Sequence, residues 1–378
     1  MLCENNGERN AQKFVLISKN IAEDSEKAMI RLLLVAPCSK QSQGGMTVWT
    51  ETFLSQCAQR NDVECDLLNI ATIGSRAVQL NSRRHFKDEF VRTKAIFKNL
   101  KKKMACQTYD AAHINTSCGA FGLIRDYMLA RKMKRKQPAC KRIVHFHCDV
   151  QKQTAQKYKK YFLKKLLKIT DTALVLNQKN KTFLGKISSV SVAAVPNFID
   201  AALIRTEKKK ISHTVEKAVF VGFVQPQKGA SEIYELAKAF PTVTFNLIGA
   251  VRADVAEWEK PENVILHGPK TRSEIIEALD DADVFIFPTH SEGFSVALLE
   301  CMARGVPSVT TDVGANLEML ENKGGIVVPV GDVFAMRDAM LQMFEPAKRE
   351  EMSDWSIQKV CLHYSVTEVV SRMIDFYK

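Results

Sequence analysis

No stretch of the 378 residues approaches the roughly 20 consecutive apolar positions of a membrane-spanning helix, so no segment reads as one. A secretory signal is also lacking, because Phe14–Ile17 is too short for an apolar core and acidic residues follow it. Ten cysteines are present, but they are scattered, mostly in apolar settings, and none forms a Cys-x-x-Cys pair. A chain of this length needs no disulfide staples, so reduced thiols and a cytoplasmic location are expected. There is no repeat of fixed period. Helix-turn-helix, zinc and aromatic RNA-binding signatures are missing too, which argues against a nucleic-acid partner.

Acidic residues are scarce in one half only. Residues 31–197 carry 31 Lys and Arg against 10 Asp and Glu, whereas residues 198–378 carry 19 against 27. A basic half joined to an acidic one implies that one domain faces an anionic surface and the other does not. Apolar residues at 46% and charged residues at 25% are those of a globular protein.

Short β-branched runs alternate with longer helical stretches, the pattern of α/β domains with parallel sheets. Expected strands are Arg31–Ala36, Cys65–Asn69, Ala111–Asn115, Arg142–His147 and Ala173–Leu176, then Ala218–Val224, Val243–Ile248, Val264–His267, Val284–Phe287, Ser308–Thr311 and Gly325–Val328. Val195–Asp200 and the polar run Arg205–His213 read as the linker. Residues 1–28 read as a disordered tail, or as lying upstream of a native start at Met29; 29–197 and 198–364 read as two domains. Successive α/β domains leave a cleft at the carboxyl ends of their strands.

The densest chemical signal is Pro288-Thr-His-Ser-Glu-Gly-Phe-Ser-Val-Ala-Leu-Leu-Glu300. A strand runs into a loop carrying Glu292, then into a helix capped by Ser295 and carrying Glu300 about one turn in. Between the two carboxylates, the amides of Gly293, Phe294 and Ser295 lie at a helix N-terminus, which favours an anion. Carboxylates for hydroxyls and amides for phosphate suit a phosphorylated sugar.

This segment resembles the paired-glutamate motif of the retaining glycosyltransferases of family 4, which have the GT-B fold of two Rossmann-like domains. Flanking segments agree: Ala282–Pro288, Glu300–Pro307 and Asp312–Glu318. The resemblance is dense over residues 217–331 and diffuse over 30–200. It implies that Glu300 binds the nucleotide ribose, that Glu292 binds the donor sugar, and that the amides of Phe294 and Ser295 lie near the diphosphate. In Phe220–Gly229 it implies that Lys228 neutralises the leaving diphosphate, while Phe223 stands where the family has an arginine. In Pro37–Met46, Gly44 and Gly45 would let backbone close over the diphosphate. At the strand end Val144–Asp149, His147 would face the cleft beside the donor sugar, with His145 a satisfied core residue. Asn115 and Thr116 end another strand and are candidates for acceptor contact. The helix Ser365–Tyr377 would pack back on the N-terminal domain.

Asp281-Ala-Asp283 has the Asp-x-Asp form of a manganese site but starts a strand, away from the cleft, so no metal site and no cofactor are expected. Gln151–Ile169 has Tyr158, Phe162, Leu163, Leu166 and Leu167 at helical spacing among lysines, with further basic clusters at Lys101–Lys103 and Lys132–Lys136. It reads as a surface helix able to lie on anionic lipid. The expected activity is transfer of a sugar from a nucleotide-diphosphate sugar to a lipid-linked or cell-surface polysaccharide acceptor, by a peripheral protein of the inner membrane face. A GT-B epimerase, a soluble-glycoside synthase, or a non-catalytic carbohydrate- or polyanion-binding protein are the alternatives, the last prompted by Phe223.

Overall fold

A computed structural model of the chain describes residues 29–39, 45–71 and 86–378. Its frame is two six-stranded sheets in which every pairing is parallel. The first holds β1 (Ile30–Ala36), β2 (Val63–Asn69), β3 (Ala111–Thr116), β4 (Lys141–Phe146), β5 (Thr172–Val175) and β6 (Ser191–Ala194), in the order β2-β1-β3-β4-β5-β6. The second holds β7 (Lys217–Val221), β8 (Thr244–Ile248), β9 (Val264–Gly268), β10 (Val284–Phe287), β11 (Ser308–Thr311) and β12 (Gly325–Val328), in the order β12-β11-β10-β7-β8-β9.

Parallel strands joined by crossover helices are covered on both faces, which is why they read as continuous apolar runs. Leu32–Ala36 and Val284–Phe287 are buried throughout. Eleven of the twelve strands were expected, and each begins and ends within three residues of its expected span. The exception is β6, Ser-Val-Ala-Ala on the sheet edge. It is short, half-exposed and poor in bulky β-branched residues, so it carries no burial signal. Residues 1–28 lie outside the described residues, and the described cysteines are all free thiols.

Strand order reverses between β1 and β3 in one sheet and between β7 and β10 in the other. Loops leaving the carboxyl ends of these neighbours diverge, and the crevice between them is where such sheets bind ligands. The chain passes between the two sheets twice, and the two passages are hydrogen-bonded together. Ile199 N donates to Tyr364 O (2.9 Å) and Val366 N to Ile199 O (2.9 Å). After the second passage the helix Val366–Asp375 buries Val369, Val370, Met373 and Ile374 in one cluster with Leu32, Leu34, Trp49 and Phe53 of the first sheet's layer.

Asp281 and Asp283 sit at the opposite end of β10 from the crevice. Asp283 accepts hydrogen bonds from the backbone of Glu216 and Lys217 (both 2.9 Å), and Asp281 pairs with Lys217 (2.8 Å). These carboxylates hold the start of a strand.

Candidate active site

β7 and β10 lie side by side, so the loops Gly222–Gly229 and Pro288–Ser295 leave the sheet together. Their approach depends on Gly229. Its φ is +83°, and a Cβ there would lie 2.3 Å from the carbonyl oxygen of Pro288. His290 N also donates to Gln227 O across the same gap (3.0 Å). This contact brings the ammonium of Lys228 onto Oε1 of Glu292, which also accepts from Thr289 Oγ1 at 3.3 Å. Their side chains are 26% and 13% exposed, so the pair is largely withdrawn from water yet open on one side.

From Ser295 the chain enters the helix Val296–Ala303. Ser295 Oγ accepts from Leu298 N (3.1 Å), the expected cap, which leaves the positive end of the helix pointing into the crevice. Phe294 is buried edge-on against Tyr364, at 5.7 Å between ring centroids. Glu300, one turn on, is 13% exposed and accepts from Arg272 Nη2 at 3.3 Å. Burial raises the Glu300 carboxyl above the usual range, and Arg272 pulls it the other way without reversing the shift.

The first sheet supplies the facing wall. Gly45 begins the helix Gly45–Ala58, and a Cβ built on it would lie 3.8 Å from Val296 Cγ2 of the other domain. Gly44 lies outside the described residues. Gly293 O accepts from Asn177 Nδ2 (3.0 Å), and a Gly293 Cβ would stand 3.1 Å from the backbone of Cys148, so the domains meet closely at the loop between the two glutamates. Gly45, Trp49, Asn197, Arg272, Val296 and Glu300 line a narrow cavity of about 20 Å³, room for about one water.

His147 follows β4, its N–H donating to Thr116 O at 2.8 Å. Its ring lies 4.1 Å from that of His145 and 5.0 Å from that of Trp49, and its Nε2 is buried. Burial pushes its pKa down to about 3, with Asn197 opposing, so the imidazole is neutral at ordinary pH. His113, bonded through Nδ1 to the Tyr377 hydroxyl (2.5 Å), is also pushed down to about 3 by burial, and His145 falls well below its ordinary value for the same reason. Two expectations change here. Among the described residues neither ring nitrogen of His145 has a hydrogen-bond partner of normal geometry, so it is a core residue packed among tilted and edge-on rings. Asn115 and Thr116 are fully buried, because β3 is an inner strand covered on both faces, and they do not line the crevice.

Glu292, Glu300, Lys228, Gly293, Phe294 and Ser295 thus gather around one helix end, with Gly45 facing them and the half-buried His147 beside Trp49 on that facing wall. Sequence reasoning missed Arg272, Asn177 and Glu318. Glu318 accepts from Gln178 N with both oxygens (3.0 Å each), which puts its charge at the start of the facing helix Gln178–Ile187. Asn177 could have been found as an Asn before a helical run. An Arg at the first position of the helix Arg272–Asp281 carries no such signal.

Two parallel sheets facing a crevice, with paired carboxylates beside a helix N-terminus and a lysine, suit a ligand that carries both hydroxyl and phosphate groups. Residues 214–345 match the family model described as glycosyl transferases group 1. The match covers about a third of the chain, and the chain as a whole has the GT-B fold. It is 23% identical over 304 residues to an uncharacterized 41.2 kDa protein in the cps region of Klebsiella pneumoniae, covering 75% of this chain and 83% of that one. It is 22% identical over 236 residues to the UDP-Gal:alpha-D-GlcNAc-diphosphoundecaprenol alpha-1,3-galactosyltransferase of Escherichia coli; the match spans 56% of this chain and 60% of that protein. Among solved structures, sucrose-phosphate synthase from Thermosynechococcus elongatus superposes with a TM-score of 0.75 at 15% identity, over 92% of this chain and 98% of that one.

Proposed function

We propose that the protein is a retaining, metal-independent glycosyltransferase that moves a sugar from a nucleotide-diphosphate donor to a lipid-linked or cell-surface polysaccharide acceptor at the cytoplasmic membrane face. The observation that carries this reading is the Lys228–Glu292 pair beside the helix headed by Ser295, with Glu300 one turn further, where β7 and β10 end.

In this reading Glu300 accepts hydrogen bonds from the ribose hydroxyls and Glu292 from hydroxyls of the sugar. Gly45 faces the diphosphate, and neutral His147 stands on the acceptor side. The bond between sugar C1 and the diphosphate oxygen breaks, and a bond forms between C1 and the acceptor hydroxyl oxygen. The hydroxyl proton passes to the departing phosphate, and the nucleoside diphosphate leaves with it. Charge grows on that leaving group, so donors fixed in advance lower the barrier; Lys228 and the amides of Phe294 and Ser295 are placed for this. They take the part a divalent cation would otherwise play. Held by Lys228 and Thr289, Glu292 serves as a hydrogen-bonding group and not as a covalent nucleophile, which favours attack from the face the phosphate leaves and keeps the anomeric configuration.

The Escherichia coli relative, named for a UDP-sugar and a diphosphoundecaprenol acceptor, supports a lipid-linked acceptor. So does the basic face. The helix Lys157–Leu167 buries Leu163, Leu166 and Leu167 while exposing Tyr158 and Tyr161 among its lysines, with Arg131 and Lys134–Lys136 exposed on the neighbouring helix Ala120–Lys136. Aromatic rings with a lysine surround suit an anionic lipid surface.

A thermal-shift panel of nucleotide sugars identifies the donor, and NMR of the transfer product in EDTA reads the anomeric configuration. Retained configuration is expected. Inversion, or activity lost to EDTA, overturns the mechanism, and a protein that neither binds nor turns over any nucleotide sugar overturns the whole reading.

A further inference from the structure

We infer that Arg272 is a second cation of the donor site, one that gives up Glu300 and takes the diphosphate when a nucleotide enters; this rests on the donor-site reading above. A nucleoside diphosphate carries at least two negative charges into a crevice already lined by Glu292 and Glu300. Lys228 is the cation nearest the sugar end, and it is paired with Glu292. Phe223, in the same loop, brings no charge.

Most other cations around the second sheet's crevice are occupied. Arg252 is held by both oxygens of Asp254 and by Gln227 Oε1 (3.0 Å). Lys270 pairs with Glu274 (2.9 Å). Arg272 differs. Its guanidinium makes a single hydrogen bond among the described residues, the 3.3 Å contact to Glu300, and its side chain is 42% exposed. Four of its five N–H donors stay available.

Its position fits an exchange. Arg272 lines the narrow cavity between the domains together with Gly45 and Trp49 of one wall and Val296 and Glu300 of the other. Arg272 occupies one oxygen of the buried Glu300 carboxyl at 3.3 Å. Ribose hydroxyls arriving at Glu300 need the same acceptor oxygens, so they displace the guanidinium. A planar fork freed next to the ribose lies beside the phosphates, whose geometry it matches. A nucleoside without phosphate displaces Arg272 in the same way but offers it no anion.

The contrast between nucleotide and nucleoside is therefore the test. UDP and uridine, with GDP and ADP as further probes, are titrated calorimetrically into the full chain and its R272M, R272Q and R272K variants, with urea midpoints checking the fold. R272M and R272Q are expected to weaken UDP by about tenfold to a hundredfold, the scale of a charge-assisted hydrogen bond, and uridine by less than about threefold. R272K should recover part of the UDP loss. Equal losses for UDP and uridine would mean that Arg272 only props Glu300, and unchanged UDP affinity would mean that it does neither; either result overturns the inference alone. A wild-type protein that binds none of UDP, GDP and ADP overturns the donor-site reading, and this inference with it.

Discussion

Replacing Glu300 by Gln should separate function from stability. Glu300 is 13% exposed, and its one cationic partner, Arg272, is itself 42% exposed. A pair so open to solvent on one side is worth at most about 1 kcal/mol. Burial outweighs it, because the net effect on the carboxyl is a pKa raised above the ordinary range. A folded-state pKa above the unfolded value means that this group's stabilising share is complete only at acid pH and fades as pH rises through the raised value. Above that raised value the charged carboxylate therefore opposes folding, and a neutral isostere removes that opposition while leaving Arg272 solvated. Glu300→Gln should melt no lower than the wild type at pH 7.5, and the difference between the two should shrink as pH falls. Its effect on the nucleotide should be the reverse. A hydrogen bond to a charged acceptor is worth about 1.5–3 kcal/mol, so losing the charge should weaken nucleoside diphosphate binding by about tenfold to a hundredfold. Differential scanning calorimetry and titration calorimetry on one preparation read both quantities. A variant that melts clearly lower and keeps its nucleotide affinity would show Glu300 to be a structural residue.

Gly229→Ala places a Cβ 2.3 Å from Pro288 O at a φ of +83°, so it should cost about 2 kcal/mol or more and pull Lys228 off Glu292; full activity and an unchanged melting temperature would contradict the loop contact. His113, His145 and His147 are neutral in the fold and take up protons when it opens, so stability should fall as pH drops below about 6.5, by about 1.4 kcal/mol per pH unit for each imidazole. The raised acids Asp126, Glu300 and Glu318 oppose this slope, so the reading is the difference between wild type and His145→Phe in urea titrations from pH 7 to 5. An equal slope in both proteins would refute the neutral histidine cluster. Reversing Lys159, Lys160, Lys164 and Lys165 to Glu should lower co-sedimentation with phosphatidylglycerol vesicles by more than about tenfold, since each lysine at the surface is worth about 1 kcal/mol. Unchanged binding would remove this helix as the lipid contact.

The fold was legible because the inner parallel strands are buried on both faces and show as apolar runs; of the half-exposed edge strands, β2 and β9 keep bulky apolar residues, whereas β6 is mostly small ones. Around the crevice, the span from Glu292 to Glu300 was readable because cap, glycine and carboxylates sit within nine residues of one strand-loop-helix. The meeting of Lys228 with Glu292 joins residues 64 apart and depends on β7 and β10 being neighbours, which strand order alone decides. Arg272 and Glu318 were invisible for a related reason. Their partners, Glu300 and the amide of Gln178, are brought to them by the closing of loops and domains, and no local pattern marks either. The burial of Asn115 and Thr116 shows the opposite limit: the end of an inner strand can lie beneath the crevice floor.

The most direct measurement follows transfer from the nucleotide sugar found by the thermal-shift panel, with nucleoside diphosphate release and glycoside product quantified together in the wild type, Glu292→Ala and Glu350→Ala. Glu350 is 59% exposed on the helix Pro346–His363, and its nearest cation is Lys208 at 3.9 Å, so it serves as the distant control. Product in the wild type and in Glu350→Ala, with a loss of at least about a hundredfold in Glu292→Ala, is the result predicted here. Equal turnover in Glu292→Ala and the wild type would contradict the assignment of this crevice as the donor site.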